Sequence, residues 1–361
     1  MPAPTVAEDT EWSECAALLY HDFASFAACC FRELNPRTRF LMNWHFEVMA
    51  GKLAAVYHGR IRRLIVNVPP RHLKSHLGSV AFPAWCLGHD PSAQILCVSY
   101  AQDLADKLSR DCRRIVATDW HKQLFPTRLS PRHQAVPEFE TTAQGCRIAT
   151  SVGGVLTGRG ADIIVIDDPL KPEEALSQAQ RQAANEWYDH TLYSRLNDKR
   201  KGAIVLIMHR LHEDDLTGHV LAQEEWEVVR LPAIAEEDER HRVETVFGRQ
   251  VFGRRAGEAL HPEREPPEML EQLRRMIGEY NFAGQYQQAP TPLAAAWSRR
   301  RGSRATRRTS GRRNSTISCR AGTPPTRSPS SAISACARAG VSRARSFTCC
   351  MYCASAWSTR N

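Results

Sequence analysis

Apolar residues in this chain gather into short unbroken runs, separated by longer stretches of mixed polarity. The runs are Leu64 to Val68, Ile163 to Ile166 and Ala203 to Met208, and two stretches that also carry polar residues, Ala93 to Tyr100 and Trp226 to Leu231, read as further strands. Runs of this length and purity are expected of strands buried on both faces of a parallel sheet. Between them, Gln102 to Val116 and Lys171 to Leu196 read as helices, as do residues 11–59 before the first strand and Pro266 to Tyr286 after the last. Phe139 to Ile148 is irregular or β, and Ala233 to Glu265 is a polar, charged surface excursion or linker. Strands alternating with helices predict an α/β fold with a mainly parallel sheet and helices on both faces.

Two strand ends carry the chemistry. After Leu64 to Val68, Pro69 and Pro70 stop the strand, and Arg71-His72-Leu73-Lys74-Ser75 leads into a helix. Strand, tight loop, Lys-Ser and helix is the layout of a phosphate-binding loop, in which backbone N–H groups and a helix N-terminus face the phosphates. Lys74 would reach the β- and γ-phosphates, and the Ser75 hydroxyl would hold Mg²⁺. The usual pattern has glycine six residues and one residue before the lysine, where this chain has Val68 and Leu73. The second strand end is Ile163 to Ile166, closed by Asp167 and Asp168. Acids at the carboxyl end of a parallel strand stand where ligands bind in open α/β sheets. Asp167 would join Ser75 around Mg²⁺, and Asp168 would orient or deprotonate the attacking water. Asp-Asp-Pro is also good turn chemistry, and a plain acidic turn is the competing reading.

Two further clusters stay open at this level. His212-Glu213-Asp214-Asp215 could ligate a metal, but consecutive residues point apart, which favours a surface turn or a coupling loop. Trp44 could stack on adenine or serve equally well in a core.

Composition and charge narrow the picture. No apolar run approaches the roughly 18 residues of a transmembrane helix, and the acidic N-terminus lacks the apolar core of a secretory signal. These features predict a reducing cytoplasm, in which the 12 cysteines need not pair. The net charge of +9 is unevenly spread. Fourteen arginines and no acid lie after residue 296, so residues 1–296 hold 34 basic against 39 acidic residues, about −5. A basic body suited to nucleic acid is thereby excluded, and the excess charge belongs to the tail.

Taken in order, NVPPRHLKS, VSYAQDLADKLSRDCR, TSVGGVLTGRGADIIVIDDPLKPEEA, IMHRLHEDDLTG and FAGQYQQAP resemble the large subunit of the tailed-phage terminases, the DNA-packaging motors. These stretches span most of residues 40–290. The resemblance implies a RecA-like ATPase of the additional-strand P-loop class, followed by an RNase H-like nuclease. It implies ATP and Mg²⁺ as cofactors. Lys74 and Ser75, with Arg71, His72 and Leu73 in the loop and Trp44 ahead of it, become the nucleotide site. Asp167 and Asp168 become the Walker B pair. His209, Arg210, His212, Glu213 and Asp214 resemble the segment that couples hydrolysis to DNA movement, and Arg159 becomes a candidate phosphate sensor. Double-stranded DNA, a small terminase subunit and a portal ring are the implied partners, in the cytoplasm of a bacterial host, with a homo-oligomeric ring as an implied assembly. The implied division is a helical region over 1–58, the ATPase core over 59–232, a linker and helical subdomain over 233–290 and a tail over 291–361. A P-loop helicase would need a second RecA-like half, and no repeat of the 64–75 pattern follows. A non-catalytic remnant with a nucleic-acid-binding tail is the remaining alternative.

The nuclease should begin near Pro290. The sequence there turns rich in Arg, Ser, Ala and Cys, has no leucine after Leu293, and shows no hydrophobic period. Such a stretch is expected to be disordered. The genetic code offers an explanation. If each original codon joined the last base of one present codon to the first two of the next, Cys349 to Cys353 restores Leu-(His/Tyr)-Val-Leu. Ala321 to Arg327 likewise permits Trp-Asp-Thr-Ala-Asn-Lys, similar to a nuclease strand with its metal-binding aspartate. A one-base deletion, or a sequencing error, near codons 290–296 is the expectation, with the nuclease lost.

Overall fold

The structure is a computed structural model and describes residues 6–290, apart from 155 and 157. The expected out-of-frame tail and lost nuclease lie outside the described residues. Three helices come first: α1 (Val6–His21), α2 (Phe23–Leu34) and α3 (Trp44–Tyr57). Then follow β1 (Arg63–Asn67), a wide π-type turn over His76–Ala81 running into α4 (Phe82–His89), β2 (Gln94–Ser99), α5 (Gln102–Ala117) and α6 (Asp119–Leu124). Next come β3 (Leu129–Gln134), β4 (Glu138–Thr141), β5 (Cys146–Ser151), β6 (Ile163–Asp167), α7 (Gln178–Trp187), β7 (Ala203–Met208), α8 (Leu216–Leu221) and β8 (Glu227–Arg230). A hairpin, β9 (Glu239–Thr245) and β10 (Gly248–Arg254), precedes α9 (Pro267–Ile277) and α10 (Glu279–Gln285).

Eight strands form one sheet in the order β3-β4-β5-β2-β6-β7-β1-β8. From β5 through β8 every pairing is parallel, with Val66 opposite Ile207 and Asp167 opposite both Ser99 and Ile207. β7 is the additional strand: it lies between β1, which leads into the lysine loop, and β6, which ends in the paired acids. Side chains alternate between the two faces. Leu64, Val66, Ile95, Cys97, Val165, Val205 and Ile207 pack with the N-terminal helices and α4–α5. Ile65, Leu96, Val98, Ile164, Ile166, Ile204 and Leu206 pack with Tyr188, Leu192 and Val220 on the other face. Each such fully buried aliphatic side chain is worth roughly 1.5–3 kcal/mol, which makes this sheet a rigid platform for the loops at its edge. Among the described residues no helix is long and apolar enough to cross a membrane.

Two expectations need correction. Ala233 to Glu265 is built around a folded hairpin, Glu239 to Arg254, whose Val243 presses against Gly51 of α3 and whose His241 stacks on Trp44. Its inward His241, Val243 and Arg254 alternate with outward arginines and glutamates, and those charges hide the period of two. Lys171 to Leu196 is helical only from Gln178, with turns before it and a tighter turn at its end. Phe139 to Ile148, expected to be irregular or β, supplies the antiparallel β4–β5 pair at one edge of the mainly parallel sheet.

Candidate nucleotide site

The parallel strands deliver their carboxyl ends to one edge of the sheet, where ligands bind in this architecture. β1 ends at Asn67, β6 at Asp167 and β7 at Met208. The lysine loop, the two aspartates and His209 therefore converge, although the sequence scatters them.

The loop is shaped by its backbone. Arg71 and Leu73 have φ of +64° and +63°, and Lys74 and Ser75 open the following helix. A left-handed residue followed by a right-handed one turns successive N–H groups to the same side and makes an anion-binding concavity. Leu73 thus adopts the conformation for which glycine is usual at this place, so the departure in sequence is not a departure in shape. Gly78, one turn further on, packs so closely on β7 that a Cβ there would lie 2.0 Å from Ile207 Cδ1. That close approach brings the helix onto the acids.

Lys74 Nζ lies 2.9 Å from Asp168 Oδ2. Ser75 Oγ donates to Asp167 Oδ1 at 3.0 Å, joining residues 92 apart in the chain. Ser79 Oγ donates to the other oxygen, Oδ2, at 2.9 Å. His209 Nδ1 stands 3.2 Å from Asp168 Oδ1, within ion-pair reach but without hydrogen-bond alignment. Burial, and after it the Asp168 charge, push the Asp167 carboxyl up. Burial acts on Asp168 in the same sense, but the Lys74 ammonium and His209 outweigh it and hold Asp168 below the usual carboxylate range. Burial thus raises one acid, while its cationic neighbours keep the other ionised. Asp168 also has a left-handed φ of +46°, a strained placement of the kind that clusters at working sites.

Other expected site residues lie apart from this cluster. The His72 ring is almost wholly buried among His45, His261 and Glu265, with Nδ1 2.9 Å from the Pro70 carbonyl. Burial pushes it down to about 4, so His72 is neutral near pH 7 and offers its backbone rather than a cation. Trp44 is stacked on His241 at 5.5 Å, with Arg254 5.8 Å from its ring centre. Arg159 pairs with Glu138 at 2.6 Å and is not brought to Lys74. Within the coupling segment, Arg210 grips Asp215 through Nε at 3.0 and 2.9 Å, while Asp215 caps α8 by accepting from Gly218 N. His212, Glu213 and Asp214 form the turn between them, and no cluster of three metal-ligating side chains exists among the described residues.

Residues 66–265, more than half of the chain, match the family described as terminase large subunit, T4likevirus-type, N-terminal. The chain belongs to the terminase large subunit family. No curated protein matches it. Among solved structures it is similar to a mutant of the ATPase domain of a Thermus phage large terminase, with 12% identity and a TM-score of 0.45, covering 72% of this chain and 98% of that one. It is similar also to the HK97 bacteriophage large terminase, with 12% identity and a TM-score of 0.34, over 56% of this chain and 43% of that one. The large terminase of a thermophilic bacteriophage, solved in complex with ADP, gives 12% identity and a TM-score of 0.25, over 70% and 80% of the two chains.

Sequence reasoning missed three residues that bond to this cluster or to the segments beside it. Ser79 lies one helical turn beyond Ser75, which is a signal that could have been read. Arg147 and Gln288 give no such signal, because their partners are distant in the chain.

Proposed function

We propose that this terminase chain is a Mg²⁺-dependent ATPase that drives translocation of double-stranded DNA. The observation that supports it most directly is the double link between the loop and the strand-end acids, Lys74 to Asp168 and Ser75 to Asp167. A hydroxyl and a carboxylate side by side are hard oxygen donors suited to Mg²⁺, and Ser75 and Asp167 would hold it. The bound cation would neutralise charge on the β- and γ-phosphates.

The protein's own part follows from the pairings. Lys74 would leave Asp168 for the phosphates, guided by the loop N–H groups of residues 71–75. Asp168, released from the lysine and still beside His209, would then orient the attacking water or accept its proton. His209 stays beside it and carries the change in Asp168 to the segment running to Asp215. Positioning and charge neutralisation supply most of the rate in such reactions. Trp44 would contribute to the base only where its ring is free of His241 and Arg254, and Arg159 only on breaking from Glu138. A small terminase subunit, a portal ring, a ring of copies of this chain and concatemeric DNA are the partners this reading implies, in the cytoplasm of a bacterial host.

The test is Mg²⁺-dependent ATP turnover by the full chain. Lys74→Ala should lower it by about 100-fold or more. Equal turnover by the two proteins would defeat the reading.

A further inference from the structure

Asp167 is fully buried, and its two oxygens have different partners. Oδ1 accepts from Ser75, whose hydroxyl must also serve a cation, whereas Oδ2 accepts from Ser79, a buried residue with no phosphate or cation to attend to. Ser79 sits in the wide turn over His76–Ala81. Its backbone carbonyl is held from β5. Pro83, four residues on, has no N–H to offer the Ser79 carbonyl, and Arg147 Nη2 donates to that carbonyl at 2.9 Å.

Arg147 is fully buried on β5, and its Nε and Nη1 have no hydrogen-bond partner among the described residues. A buried guanidinium with two unpaired nitrogens is costly, and a polar group left in that state calls for a reason. The one bond the guanidinium does make is to the Ser79 carbonyl, and the buried Cys97 thiol, raised by burial, senses both Arg147 and Asp167, with opposite effect.

We infer that Ser79, held in place by Arg147, is a positioning residue that fixes Oδ2 of Asp167 and leaves Oδ1, beside Ser75, to face Mg²⁺. The inference rests on the nucleotide reading above and adds to it the pair that aims the carboxylate. Groups that orient a metal ligand from behind typically govern affinity for the metal by about 10- to 100-fold.

Binding of a fluorescent ADP analogue to the full chain, titrated with Mg²⁺ and repeated in EDTA, tests it. Ser79→Ala should raise the Mg²⁺ concentration at half-saturation by about tenfold while leaving metal-free nucleotide binding close to wild type, with a melting temperature lowered only by the few degrees that loss of one buried hydrogen bond brings. Ser79→Thr, which keeps the hydroxyl, should restore the Mg²⁺ dependence. Arg147→Met should shift it in the same direction as Ser79→Ala, and because that variant is the one at risk of misfolding, Ser79→Ala decides. A wild-type Mg²⁺ response in Ser79→Ala, with wild-type protein binding nucleotide normally, would overturn the positioning role alone. A wild-type chain with no Mg²⁺-dependent nucleotide binding would overturn the nucleotide reading and this inference with it.

Discussion

The Arg210 backbone N–H donates to Gln288 Oε1 at 2.9 Å, tying the segment after β7 to the last described turn of the chain. Around this bond, Arg230 Nε donates to the Gln288 carbonyl at 3.2 Å, and the Gln287 amide exchanges two 2.9 Å bonds with the backbone of Ile234. Gly284 of α10 approaches the Arg210 carbonyl so closely that a Cβ would lie 2.9 Å from it. Asp168, His209, Arg210 and Gln288 thus form a continuous path from the candidate nucleotide site to residue 288. Gln288→Ala removes a buried acceptor and leaves the Arg210 N–H unpaired, a loss of about 1–3 kcal/mol. The melting temperature should fall by roughly 2–10 °C in scanning calorimetry, and ATP turnover should fall more than nucleotide affinity. Unchanged melting would show that the bond does not form in solution.

Asp168→Asn separates binding from chemistry. Lys74 loses its anionic partner and becomes freer to meet phosphate, so nucleotide affinity should hold or rise. The water loses the charged group that orients it or takes its proton, so turnover should drop by about 10²- to 10⁴-fold. Steady-state turnover and ADP binding, measured on one preparation, check the split. Wild-type turnover in Asp168→Asn would move the role of partner to the attacking water elsewhere.

How much of this was legible follows from where each part gets its stability. Strands such as Ile163 to Ile166 and Ala203 to Met208 are buried on both faces, so composition alone marks them. β3 mixes Ser, Pro, Arg and His and is largely exposed, and β9 carries outward Arg240, Arg242 and Glu244, so neither stands out from a loop. Lys74, Ser75, Asp167 and Asp168 were readable because their chemistry is tied to strand ends. The sequence alone could not show that His209 reaches Asp168, that Trp44 stacks on His241 or that Arg159 pairs with Glu138. Those contacts depend on strand order and on the hairpin, neither of which is a local property.

Leu73 offers a test of backbone strain separate from packing. At φ +63° a residue with a Cβ costs about 1–2 kcal/mol relative to ordinary backbone. Leu73→Gly and Leu73→Ala both remove the leucine's contacts, so their difference isolates the conformation. In most loops and helices alanine is the more stabilising of the two. Here glycine should be, by roughly 1 kcal/mol, with a melting temperature about 2–4 °C above that of Leu73→Ala. Were alanine equal or better, the left-handed loop shape would not hold in solution, and the anion-binding concavity would lose its basis.

The last expectation is that the 361-residue chain does not cut DNA. Two-metal cleavage needs a group of carboxylates that holds paired cations about 3.5–4 Å apart at the scissile phosphate. From Trp297 onward there is no aspartate or glutamate, so that stretch has no acidic ligands to contribute. Among residues 6–290, no three His, Cys, Asp or Glu side chains come together as a metal site. Asp167 is engaged by Ser75 and Ser79, and Asp168 by Lys74. Supercoiled plasmid incubated with the purified chain and Mg²⁺ or Mn²⁺ should stay supercoiled on a gel. Inserting one base near codon 292 should instead yield a leucine-containing sequence downstream and, if the gene continues intact, a protein that nicks the plasmid. Nicking by the present chain, abolished by EDTA and insensitive to Asp167→Asn, would place a second metal centre in the molecule and defeat the frameshift reading.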